Sequence, residues 1–138
     1  MFVVPIEVFG LGEVFKVEAI GTEYCGEGDV TKLNAKNNTD IWVEVVSETE
    51  LLVSFTSDFA PGTTFSMTGF SYPINDRTSA FVAGASFGPQ SFAAIRGVAK
   101  LNSEGGITAL SGTYIDGDVL EEGCFSSGTF KTVRERQP

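Results

Sequence analysis

Cys25 and Cys124 are the two most reactive side chains in this sequence, and they lie near opposite ends of the chain. A cysteine acts as nucleophile or metal ligand through its thiolate, which a nearby cation, helix N-terminus or metal must stabilise. The sequence contains no histidine. That removes the usual general base, the usual triad orienter and the commonest metal ligand together. Ser/His/Asp and Cys/His mechanisms are excluded within one chain, and a zinc site would have to draw on two cysteines plus carboxylates. No catalytic residue, metal ligand or cofactor is therefore assigned. The cysteines are expected to form a disulfide. The competing reading is a pair of buried thiols acting as small hydrophobes.

Carboxylates are the next candidates. The stretch "YIDGDVLEEG" clusters Asp116, Asp118, Glu121 and Glu122. A hard cation wants several oxygens on a tight turn, but the third Asp/Asn and the glycine of an EF-hand loop are missing. A solvated acidic turn is expected. Glu18, Glu44 and Asp58 lie in or at the ends of strands, where paired carboxylates serve acid/base chemistry if burial raises one pKa. Periodicity sets Glu18 and Glu44 opposite the apolar faces, so a carboxylate-based hydrolase or isomerase ranks third among the functions considered. The triplet Asn37-Asn38-Thr39 fits a glycosylation acceptor, a pattern too short to carry weight.

The elements that would hold these residues are strands. The chain has 138 residues, a net charge of −9, 16 glycines and 12 phenylalanines, which suits one domain. Such an acidic surface repels phosphate backbones and anionic membranes, so neither nucleic acid nor membrane insertion is expected. The basic cluster Lys131, Arg134 and Arg136 falls in a C-terminal tail, expected to be flexible over 134–138. No apolar run approaches the roughly 20 residues of a helical membrane span. The opening "MFVVPIEVFG" lacks the basic start and cleavage site of a leader. It is expected to be an extra strand, a short helix or a lid over 1–13.

Alternation of apolar and polar residues recurs between turn signals at roughly ten-residue intervals, the signature of an antiparallel barrel or sandwich. Strands are expected to start near 14, 41, 51, 63, 79, 91, 107 and 123. The polar "GEGDVTKLNAKNNTD" is expected to be a loop, possible short strand included. "DFAPG" at Asp58–Gly62 reads as a turn, and "PINDR" as a break. Trp42 is expected to be half-buried at a strand start. Short connections make a meander, and closing it removes two open edges. An all-β, single-domain up-and-down β-barrel of about eight strands over 1–138 is therefore preferred to a two-sheet β-sandwich. In an even-stranded closed meander the first and last strands run antiparallel. The end of one meets the start of the other, and Cys25 and Cys124 share the parity of their strands' apolar faces.

In strand count, short turns and aromatic-rich interior the chain resembles lipocalin-like barrels, and that resemblance implies architecture alone. The segment "FVAGASFGPQSFAAIRG" carries a single charge, Arg96, and spreads small residues over both faces. Small residues inside a barrel leave room for a ligand. The leading expectation is a non-enzymatic binder of a small apolar or weakly acidic molecule. Phe65, Met67, Phe81, Phe87, Phe92, Ile95 and Phe130 would line the cavity and Arg96 would anchor an acidic group. The alternative is a filled, oligomeric barrel that binds protein partners. A disulfide would place the protein outside the cell or in the periplasm, its leader replaced by Met1; without one, the cytoplasm is the alternative.

Overall fold

The structure, a computed structural model, describes residues 13–47, 49–56, 64–120 and 123–133. Eight strands follow in order: β1 (Glu13–Tyr24), β2 (Val30–Val45), β3 (Glu50–Thr56), β4 (Thr64–Asn75), β5 (Thr78–Gly88), β6 (Ser91–Leu101), β7 (Ile107–Asp118) and β8 (Cys124–Val133). Each pairs antiparallel with its sequence neighbour, and β1 pairs with β8 from Lys16↔Val133 to Tyr24↔Phe125, closing the barrel. Closure gives every edge a partner, which an eight-strand open meander cannot do. The expected up-and-down barrel is the fold.

The period-2 alternation builds the core directly. Phe15, Ile41, Val43, Leu51, Val53, Met67, Phe81, Leu110 and Phe130 are all buried inside. Each such side chain contributes about 1.5–3 kcal/mol on leaving water. Register carries one inward row diagonally across the barrel wall: Phe15 faces Ile41, Ile41 faces Phe55, and Phe55 faces Phe65. That diagonal is the strand tilt a closed barrel requires. It runs from Phe15 near the start of β1 to Phe65 near the start of β4, which is the opposite end.

Curvature comes from inward glycines set face to face. Gly97 opposes Gly112, and a Cβ built on either would lie 1.9 Å from a carbonyl oxygen of the neighbouring strand. Gly21 opposes Gly128 at the β1–β8 seam, where a Cβ on Gly21 would meet the Ser127 carbonyl oxygen at 2.2 Å and the Tyr114 hydroxyl at 2.6 Å. Only hydrogen fits between backbones this close, so these pairs act as the bends that let a sheet close. Gly97 is thus used for curvature rather than to leave space for a ligand.

Three expectations are corrected. The polar segment read as a loop is strand from Val30 onward, pairing β1 from Tyr24↔Val30 to Glu18↔Lys36. Ladder bonds use backbone groups whatever the side chains are, and the edge of a twelve-residue β1 needs partners along its length. The register then moves from Glu18↔Lys36 to Lys16↔Asp40, two steps on β1 against four on β2, so Asn37–Thr39 lies in a bulge. Two extra residues leave the alternation in phase, and Leu33 and Ile41 both reach the interior. Second, β4 does not break at "PINDR": it runs through Pro73 to Asn75, and the turn is Asp76–Arg77. Pro73 sits beside a register shift, where a missing N–H is tolerated. Third, Lys131 belongs to β8, opposite Glu18, with an ion pair at 3.6 Å. The expectations for residues 1–12, Asp58–Gly62, Glu121, Glu122, 134–138 and the Trp42 side chain lie outside the description.

Candidate functional site

Alternating strand directions put the β1–β2, β3–β4, β5–β6 and β7–β8 connections at one end of the barrel. The far end is plugged by Phe15, Val43, Leu51, Ile107 and Leu110. Among the described residues, the end that carries these four connections is open. A mouth of about 360 Å³ is walled by Phe55, Phe65, Phe87 and Phe92 on one side and by Glu23, Asp116, Asp118 and Ser126 on the other. Beneath it a second space of about 210 Å³ is lined by Val17, Ala19, Met67, Ile95, Tyr114 and Phe130. Phe55, Ala93, Asp116 and Ser126 line both, so the two form one cup.

The aromatic wall is self-supporting. Phe55 stacks on Phe65 with centroids 5.4 Å apart, and Phe87 meets Phe65 edge-on at 5.2 Å and Phe55 at 6.1 Å. Such pairs are worth about 0.5–1.5 kcal/mol beyond area burial, which holds the rings in place around the opening. Across the rim Tyr24 stacks on Phe125 at 5.0 Å.

The polar wall comes from β7 and β8. Tyr114, Asp116 and Asp118 alternate along β7, and Asp116 faces Ser126 across the ladder. The buried Ser126 hydroxyl donates to Asp116 Oδ1. Partial burial raises the Asp116 carboxyl above its ordinary pKa, and the Ser126 hydrogen bond offsets part of that rise. Tyr114 is also raised, first by burial and then by the nearby Asp116 charge, so its phenol stays protonated. Its hydroxyl lies in the inner volume that Gly21 leaves, and its backbone pairs with Gly128.

Cys25 and Cys124 are bonded, joining the end of β1 to the start of β8 at the rim. Glu23 lies near both sulfurs. Bonded sulfurs are not thiolate donors, so this trio holds no metal ion.

The structure brings together most of the lining set expected from sequence. Phe65, Phe87 and Phe92 stand at the mouth, and Met67, Ile95 and Phe130 line the deeper space. Phe81 is buried among the core residues and lines neither space. Arg96 is exposed on the outer wall, between Val82 and Thr113, in a groove with Phe70 and Tyr72. It anchors nothing inside. Sequence reasoning missed Phe55, Glu23, Tyr114 and Ser126. Asp116 and Asp118, expected in a solvated acidic turn, instead continue the Tyr114 alternation along β7. Ser126 shares parity with Cys124 and Phe130, a signal that was available. No family model, curated protein or solved structure matches this chain.

Proposed function

We propose that the protein is a non-enzymatic binder that takes a small apolar molecule into the open end of its barrel. The observation that carries this reading is the cup itself: a plugged floor, a mouth of about 360 Å³ and an apolar space of about 210 Å³ beneath it. Binding sites are characteristically concave, mostly apolar and fitted with a few convergent polar groups. The absence of histidine leaves Ser126 with a carboxylate neighbour and no imidazole to activate it. A disulfide across the seam suits an oxidising compartment, outside the cell or in the periplasm. The charge of −9 argues against a nucleic-acid partner.

The test is titration with the neutral dye N-phenyl-1-naphthylamine, whose fluorescence rises in apolar surroundings. Saturable enhancement at one site is expected, with loss in Ala93→Phe, which fills the neck shared by mouth and floor, and weakening in Phe87→Ala. A dye that shows no enhancement, or one indifferent to both substitutions, overturns the reading.

A second reading rests on the outer wall, where Phe70, Tyr72, Ile74 and Val82 are exposed. Apolar clusters of this kind mark interaction surfaces, including those between copies of one chain. Sedimentation velocity showing a dimer that Tyr72→Lys dissolves would favour it.

A further inference from the structure

The cup has an electrical polarity as well as an apolar lining. Among the described residues that line its two spaces, the charged side chains are Glu23, Asp116 and Asp118, and none is a lysine or arginine. These carboxylates stand across the mouth from the faces and edges of Phe55, Phe65 and Phe87. An acidic guest would have to bring its charge against them. A neutral guest would leave them as they are. A cation would be drawn in by the carboxylates and by the electron-rich ring faces alike. The overall charge of −9 adds a long-range field of the same sign.

We infer that the ligand this cup selects is an amphipathic organic cation, a hydrophobic amine whose ammonium sits against Asp116 and Glu23 while its apolar body packs on Phe55, Phe65 and Phe87. The inference rests on the ligand-binding reading above and replaces the weakly acidic guest suggested by Arg96, which lies outside the barrel. Ser126 has a place in it: by donating to Asp116 Oδ1, it orients the carboxylate and leaves the second oxygen for the guest. The disulfide between Cys25 and Cys124 closes the seam two residues beyond Glu23, which holds that carboxylate at the rim.

Three probes with one ring system separate charge selection from apolar binding: 1-naphthylmethylamine, 1-naphthalenemethanol and 1-naphthoate, titrated calorimetrically into the full chain at neutral pH. The amine is expected to bind roughly tenfold tighter than the alcohol, the ratio one well-placed charge contact supports, and the carboxylate weakest. In Asp116→Asn/Glu23→Gln the amine-to-alcohol ratio is expected to fall toward one. Glu104→Gln, in the loop at the plugged end, is expected to leave the ratio intact. Equal affinity for amine and alcohol in the wild type overturns the cation inference and leaves the apolar cup standing. Binding of none of the three overturns both. A ratio that persists in the double variant also overturns the inference, because the selection then arises elsewhere.

Discussion

Removing the seam disulfide is the sharpest test of how this barrel is held closed. The bond joins residues 99 apart, so it denies the unfolded chain most of its freedom to separate β1 from β8. On the chain-entropy account a loop of that length is worth about 4–5 kcal/mol, and native bonds typically deliver 2–4. In the folded state β1 and β8 remain paired along the whole seam, so the native geometry does not depend on the bond. The expected loss in Cys25→Ala/Cys124→Ala is therefore about 3 kcal/mol. Alanine avoids placing a hydroxyl in half-buried positions. With an unfolding entropy of roughly 2.1 cal/mol/K per residue, that loss lowers Tm by about 10 °C for a chain of this size. Urea denaturation at equilibrium measures it, and the m-value should rise because the uncrosslinked denatured state exposes more surface. A loss below about 0.5 kcal/mol with an unchanged m-value would refute the reasoning. So would a variant that loses its folded near-ultraviolet signature at low urea, since the bond would then be shaping the native seam.

Gly112→Ala should destabilise by more than about 2 kcal/mol, beyond ordinary strand propensity, because its Cβ would lie 1.9 Å from the Arg96 carbonyl oxygen; chemical denaturation measures the loss. Gly21→Ala should likewise destabilise, because its Cβ would lie 2.2 Å from the Ser127 carbonyl oxygen at the seam; chemical denaturation measures the loss. For Asp116 the folded pKa is raised, so its stabilising contribution is present below the ordinary carboxylate range and is lost as pH rises through the folded value. Asp116→Asn, which keeps an acceptor for Ser126, should therefore be the more stable protein at neutral pH, and the advantage should vanish in acid. Paired denaturation curves across pH check this, with Glu23, Asp118 and Tyr114 the ionisable side chains that share that wall. Lys131→Met should change stability by less than about 1 kcal/mol, because its ion pair with Glu18 is largely solvent-exposed on the lysine side.

The fold was legible where one face of a strand is plainly apolar. In β1, Phe15, Val17 and Ala19 alternate with Lys16 and Glu18, and the same parity carries Cys25 to the seam where it meets Cys124. The first half of β2 was not legible, because Thr31, Lys32 and Asn34 sit in the ladder through backbone bonds that leave no mark on side-chain type. Most of the apolar lining could be named in advance, since Phe65, Met67, Phe87 and Ile95 need only lie on inward faces. The polar wall could not. Asp116 owes its place to the alternation of β7 continuing to the rim, and its environment to Ser126 on another strand.

By itself the sequence determined the class of object: alternation and short turns dictate antiparallel strands, and the lack of histidine removes whole families of chemistry. The parity of two cysteines predicts their meeting if the meander closes. Only the tertiary structure decided which face points inward where both faces are alike. In "SFAAIRGVA" small residues occupy both parities, and a period of two says which residues share a face without saying which face is buried. Register with β5 and β7 puts Ala93, Ile95 and Gly97 inside and Arg96 outside. One step of register separates a basic anchor inside the cup from a basic residue on the outer wall, and with it an acidic guest from a cationic one.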